Sequence, residues 1–480
     1  MPFNYYDIVT VLTVIALALA AFFFLKQDAK ALWILAVACI PFSSEIVIEV
    51  PIQTTHLPIL FFPTDFLAGI ILVFIVLSLP FLMARREVAL GLRQSKILLV
   101  AALYFLWMGV STIFSSSFII SAKFLVLQLA HFLSYGLLGY FLLREKPAEI
   151  ELVYRRYMIV PLLAVLFICV VEHIILTPTR ETVDRAIMPF FREHTVYGAF
   201  TAWMFVAYFI LWQRFRLSLI LTLGLLFSGV ALFLSYSRGG WLSAAGALLL
   251  VPVLEWLWRL SRKQALIVLM GLGVIAAGSI WFLISHGQVW LEDILSDLLG
   301  DTGKRIASSF DTQQDLSNVG RIHRWIVAWE LFKYDPVTGI GPNTFAEEYH
   351  AYKTLSSLIT VISKVDLAYA GIHSEYITAL TEMGIPGLIL LVSIYGLTLY
   401  YSFHYAFSTE DKRRRITGLL VAVPLLSYYL HAFINNFMDH GKVAALIYLY
   451  WGAAIALEES LRKMQSKRRL EYELKPYKGV

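Results

Sequence analysis

The sequence predicts an all-α, polytopic membrane protein with about 12–13 transmembrane helices and one large helical loop outside the lipid. Three observations carry this. The chain has 480 residues, 59% of them hydrophobic and 15% charged, and its mean hydropathy is +0.71. Soluble domains run nearer half apolar and a quarter charged, so this chain cannot cover its own surface in water. Windows of about 17–25 apolar residues recur along nearly its whole length, as helices that cross a bilayer require. The segments between them alternate between basic and nearly uncharged, as connections on opposite sides of a membrane do.

The first apolar run, about Ile8 to Leu25, has no basic stretch before it and no small-residue cleavage site after it. It is expected to be a retained span rather than a signal peptide. Further spans are predicted at about 31–43, 66–84, 97–114, 120–143, 157–176, 196–213 and 217–235. They continue at about 240–258, 264–285, 385–404, 417–435 and 442–458. The second is short and is expected to pass into irregular structure through Pro41. Cys39 and Cys169 both fall inside predicted spans and give neither a disulfide pattern nor a metal-ligand spacing.

Charge sets the orientation. "KQDAK", "RREVALGLRQSK", "REKPAEIELVYRR", "RLSRK", "EDKRRR" and the tail "LRKMQSKRRLEYELKPYKGV" all fall on one side. That side holds about 26 of the 39 Lys and Arg, so it is predicted to be cytoplasmic. The organisation that follows is ten spans over 1–285, an outer segment over 286–384, three spans over 385–460 and a basic cytoplasmic tail over 461–480. The N-terminus and the outer segment face away from the cytoplasm.

Only the outer segment is large enough to fold outside the lipid. In "GRIHRWIVAWELFKYDP", Ile322, Trp325, Ile326, Trp329 and Phe332 recur at helical spacing, and Pro336 ends the pattern. Arg321, Arg324 and Lys333 occupy the opposite side. "VTGIGPNTF" then signals turns. "AGIHSEYITALTEMGIPG" predicts a short helix from about His373, broken at Gly384 and Pro386 before the next span. Two short helices pressed on the outer membrane surface suit this pattern.

Three stretches on the outer side carry chemistry. "SYSRGG" places Arg238 at the mouth of a span with no acidic residue close along the chain. The plainer reading is an arginine that snorkels to headgroup phosphates. Gly239 and Gly240 favour an anion site, since they let backbone N–H groups approach closely. Arg321, with His323 and Arg324, lies on the amphipathic outer helix, where the plainer reading is a solvated or lipid-contacting basic face. His373 stands at a predicted helix N-terminus, whose dipole disfavours the charged ring and so favours a general base, although an isolated histidine is more often structural. A metal site built from His373, Glu375 and Asp366 or His350 is not predicted. His-x-Glu is a common spacing, and no His-x-x-x-His partner accompanies it.

Taken together, "SYSRGG" between two spans, "GRIHRWIVAWELFKYDPVTGIGPNTF" in a late outer loop and "HSEYITALTEMGIPG" leading into the next span resemble the bacterial O-antigen ligase and polymerase family. "RAIMPFFREHTVYGAFTAWM", from Arg185, is similar to that family's earlier outer loop. The resemblance is specific over roughly residues 180 to 400 and only architectural over the first 150. It implies a GT-C-like membrane glycosyltransferase of the bacterial inner membrane, with its active site facing the periplasm. The implied donor is a glycan on polyisoprenyl (undecaprenyl) pyrophosphate, and the acceptor is the sugar of a lipid A core or, for a polymerase, another lipid-linked glycan. No cofactor, metal, nucleotide or nucleic acid is implied. By this resemblance His373 is the catalytic base and Arg238 and Arg321 bind the donor pyrophosphate. Arg185, Arg324, Gly239 and Gly240 are possible additions.

The residue types suit that reaction. A planar guanidinium meets two phosphate oxygens at once and stays charged at any relevant pH. A neutral histidine can take the proton of an attacking hydroxyl. The rival class is a flippase or exporter of lipid-linked glycans, which would place ionisable groups and broken helices near the midplane. Here Lys123, Glu172 and Glu255 all fall near predicted span ends. A scaffold subunit of an export complex is a third possibility, in which Arg238 and His373 carry no function.

Overall fold

The computed structural model describes residues 5–44, 46–52, 55–61, 63–83, 94–261, 263–264, 316–353 and 371–473. The predicted span at 264–285 lies almost entirely outside the described residues. So do 286–315 and 354–370 of the outer segment and the end of the tail.

Within a bilayer a chain can satisfy its backbone only internally, and the apolar runs accordingly form helices. In order, α1 spans Tyr5–Leu25, α2 Ala29–Cys39, α3 Pro63–Met83, α4 Lys96–Ile113, α5 Phe118–Leu143 and α6 Glu149–Ile175. Next come α7 at Arg180–Ala186, α8 at His194–Arg214, α9 at Leu219–Leu234 and α10 at Arg238–Arg259. The rest are α11 at Leu316–Tyr334, α12 at Phe345–Lys353, α13 at Glu375–Phe407, α14 at Lys412–His431 and α15 at Gly441–Glu473. Seven of them (α4, α5, α6, α8, α10, α13 and α15) are long and apolar enough to cross a membrane. The four arginines and lysines that open α14 keep its hydropathy low, yet every residue from Ile416 to Tyr429 is buried. Apart from the span at 264–285, each predicted span falls on a helix. One small element departs from the all-helical expectation. Where irregular structure was predicted after Pro41, β1 (Ile46–Ile52) pairs antiparallel with β2 (Thr55–Phe61), Ile46 opposite Phe61. The Ile and Val of "IVIEVPI" favour that extended form.

Aromatic residues fill the centre, where α8, α14 and α15 meet. Trp203 packs edge-on to Tyr450 with ring centroids 4.9 Å apart, and Tyr428 lies 5.5 Å from Trp203. Gly198 and Gly240 let α8 and α10 approach closely. A Cβ on Gly240 would sit 2.8 Å from the Gly198 carbonyl oxygen.

Polar contacts sort the connections into two ends. At one end the basic segments tie to acids from other helices. Lys30 pairs with Glu149 at 3.1 Å, Arg144 with Glu459 at 3.0 Å, Arg214 with Glu151 at 2.6 Å, and Arg415 with Glu255. Glu458 accepts from Ser95 Oγ and the Lys96 N–H, capping α4. At the other end the buried Lys442 ammonium donates to the carbonyls of Pro41 and Phe190 and lies 3.9 Å from the Phe191 ring centroid. Tyr236 OH reaches the Pro178 carbonyl there. This segregation matches the alternation of connections read from charge.

The break in α13 is built rather than loose. Gly384 has φ +66° and would place a Cβ 2.0 Å from the Val337 carbonyl oxygen. A kink frees helix carbonyls, which must find donors elsewhere. Ile340 N–H donates to Thr381, Gly341 N–H to Glu382, and Trp107 Nε1 to Met383. The Glu382 carboxylate in turn accepts from the N–H groups of Asn343 and Phe345, at the start of α12. The "VTGIGPNTF" turn is thereby docked into the kink, which fixes the outer segment on the membrane helix that follows it.

Candidate active site

His373 lies just before Ser374, whose side chain caps α13 by accepting from the Ile377 N–H. Its φ is +59°, a left-handed conformation that costs a non-glycine residue about 1–3 kcal/mol. The loop between α14 and α15 holds it there. Asn436 Oδ1 accepts from the His373 backbone N–H at 2.9 Å, and Asn435 Oδ1 lies 3.3 Å from His373 Nδ1. Glu375 straps the same loop down. Its carboxylate accepts from the N–H groups of Phe437 and Met438 and from Tyr428 OH, while its own N–H donates to the Ala432 carbonyl. Glu375, considered from sequence as a metal ligand beside His373, is thus spent on loop anchoring.

On α11 the plainer reading of a solvated or lipid-contacting basic face does not describe Arg324, which is 9% exposed. Trp329 is 53% exposed and Ile326 is similarly bare, as suits a helix pressed on the membrane surface. Arg324 lies beside Val327, Ala328 and Leu331, which pack against Phe345, Tyr349 and Ile372. Trp325 Nε1 donates to the Ile372 carbonyl, one residue from His373. Tyr349 hydrogen-bonds the Arg324 side chain, while Arg324 Nε finds no acceptor among the described residues. Glu193 attracts this guanidinium electrostatically, yet a buried guanidinium with an N–H left unmet is costly unless a further acceptor meets it. Of the two short helices expected here, the first is α11 and the second is the opening of α13 before its break at Gly384, while α11 packs its Arg324 side against the unpredicted α12. The bare Trp329–Ile326 stripe suits the lipid boundary.

Electrostatics follow from this arrangement. His373 is pushed down from 6.5 to about 3, first by burial and then by the positive charges of Arg324 and Arg321. Burial and these two charges thus favour the neutral ring, in the same direction as the helix-end effect expected from sequence. His323 is lowered by burial and by Arg324, and Arg324 itself is lowered by burial.

Arg238 is the first residue of α10, half-buried, behind the cap that Ser237 makes to the Gly240 N–H. Gly239 and Gly240 are both buried. An open cradle of N–H groups was expected at these glycines, but the Gly240 N–H is already bonded. Gly239 instead makes room for a ring: a Cβ there would lie 2.9 Å from His431 Nε2. His431 Nε2 in turn accepts from Asn435 Nδ2 at 2.9 Å. Contacts therefore run from the "SRGG" turn through His431 and Asn435 to His373, and Arg321 lies within electrostatic reach of both histidines. Arg185 stands exposed in the last turn of α7, outside this chain of contacts. Asn435, Asn436 and His431 were missed from sequence, because "HAFINN" was read as the end of a span. Three hydrogen-bonding side chains in six residues were the signal available there.

Fold and site together define a polytopic helical membrane protein with arginines and a neutral histidine gathered at one end of its bundle. The family model described as O-antigen ligase matches residues 223–392, a stretch that contains Arg238, Arg321, Arg324 and His373. Over that stretch the chain is similar to the O-antigen ligase family. No curated protein matches the chain.

Proposed function

We propose that the chain is an inverting, metal-independent membrane glycosyltransferase. It transfers a glycan from polyisoprenyl (undecaprenyl) pyrophosphate to a sugar hydroxyl, with the lipid A core as acceptor, on the periplasmic side of the bacterial inner membrane. The observation that carries this reading is the buried Arg324, with Arg321, beside a histidine that those charges help keep neutral.

The chemistry follows from these groups. The donor's anomeric carbon is bonded to a diphosphate oxygen, and that bond breaks readily if the growing negative charge is met. Arg238, Arg321 and Arg324 meet it with fixed positive charge that needs no proton transfer, the role of preorganised electrostatic stabilisation. His373 takes the proton of the attacking hydroxyl as the new bond forms, a contribution typically worth about 10²–10⁴-fold. The hydroxyl attacks opposite the leaving group, so the anomeric centre inverts. A polymerase, with a second lipid-linked glycan as acceptor, uses the same groups.

The test is transfer by purified protein supplied with a polyisoprenyl-pyrophosphate glycan and lipid A core. His373→Ala should abolish product while the protein still inserts in the membrane. Arg238→Lys should lose most activity, because a point charge does not replace a bidentate fork. Activity should persist in EDTA. Near-normal turnover in either variant, or loss in EDTA restored by a divalent ion, would overturn the reading.

A further inference from the structure

The hydrogen bonds around His431 determine which nitrogen of His373 carries its proton. Ser243 Oγ donates its single hydrogen to the Gly240 carbonyl at 3.1 Å. Toward His431 Nδ1, 3.5 Å away, that oxygen can then only accept. His431 therefore bears its proton on Nδ1, and the neutral ring presents a bare Nε2. A bare nitrogen requires a donor, so Asn435 turns its amide nitrogen toward it, at 2.9 Å. The Asn435 oxygen is then left facing His373 Nδ1 at 3.3 Å, which must supply a hydrogen. Asn435 is 2% exposed and His431 1%, so water does not substitute for either partner. A flipped amide would reverse every assignment and require Ser243 to give up the 3.1 Å bond to Gly240 for a 3.5 Å one to His431 Nδ1.

We infer that Asn435, oriented by His431 and Ser243, is a positioning residue that holds His373 with its proton on Nδ1 and its lone pair on Nε2. Nε2 is then the atom that takes the acceptor hydroxyl proton, which rests on the function proposed above. In that step the O–H pair becomes the bond to the anomeric carbon, and the C–O pair leaves with the diphosphate. The imidazolium so formed keeps Asn435 Oδ1 as its acceptor and later gives the Nε2 proton to water. The same relay accounts for Gly239, since any side chain there would strike the His431–Asn435 bond.

The direct test is ¹⁵N NMR of histidine-labelled full-length protein in nanodiscs, with the His373 signals identified by their loss in His373→Gln. The expected result is a protonated Nδ1 and a bare Nε2 in the native protein. In Asn435→Ala the ring should populate the other tautomer, and kcat should fall about 10²–10⁴-fold with KM little changed. Asn435→Asp keeps an acceptor at Nδ1, so it should retain the native tautomer, restore part of kcat, and move the acid limb of the rate profile upward. Asn435 and Asn436 from the α14–α15 loop and Arg321 and Arg324 from α11 act on the ring, with Glu375 two residues along its own element, and the new carboxylate would be added directly at Nδ1. A native His373 protonated on Nε2, or an unchanged tautomer in Asn435→Ala, would overturn the inference. Full transfer by His373→Ala would remove the general-base reading instead, and leave the tautomer assignment standing.

Discussion

His373 is held at about 3 by burial and by two arginines, so its base form is present throughout the range in which an ordinary histidine titrates. The neutral ring is the competent form, and lowering its pKa moves the loss of activity to lower pH. The acid limb of kcat/KM should therefore fall well below pH 6.5. Arg324→Met removes one of the positive neighbours, so the limb should move upward even as the maximum rate drops. A pH–rate series on both proteins checks this, and an unmoved limb would separate Arg324 from the histidine. At this scale Arg238, Arg321 and His373 were legible as motif residues. Asn435 was not, because its contact with His373 bridges 62 positions of chain and no local periodicity reports it. The neutrality of His373 was anticipated but assigned to a helix end. Burial, which depends on the whole packing, and the charges of Arg324 and Arg321 were not read from the sequence as causes.

At the scale of elements, the kink in α13 organises the outer segment. Gly384→Ala puts a methyl group onto the Val337 carbonyl in a positive-φ conformation. The backbone term alone costs about 1–3 kcal/mol. A lower Tm in detergent and weaker transfer should follow, whereas Gly396→Ala, which meets nothing within 4 Å, should change neither. Circular-dichroism melts of the two variants make the comparison. The break at Gly384 and Pro386 could be read from the sequence, since those residue types punctuate helices. The partner of the break could not: "VTGIGPNTF" announces a turn, but nothing in it says that its amides will meet the carbonyls of 381 and 382. On α11 the exposure of Ile326 and Trp329 suits the expected place against the membrane surface, but their spacing does not report that Arg324 is buried beside Tyr349.

For the whole molecule, the basic connections and the arginine–histidine cluster lie at opposite ends of the bundle. A membrane-impermeant maleimide added to intact cells should therefore label Tyr334→Cys, and should label Leu217→Cys only after the membrane is opened. Both positions are highly exposed, and Cys169 is buried while Cys39 lies in the second predicted span, so native background should be low. Labelling in the reverse order would invert the assigned orientation. This level was the most legible of all, because span length and charge alternation are properties of single segments. The described helices follow the predicted limits closely, and the hairpin at 46–61 is the main addition. A final consequence belongs to α11, a 19-residue cylinder with Arg324 on its buried side and Trp329 on its bare side. On the proposed function, such a rod would couple the height of the lipid surface to the seating of its guanidinium groups, and bilayer thickness would then be a variable of the reaction and not merely of its surroundings.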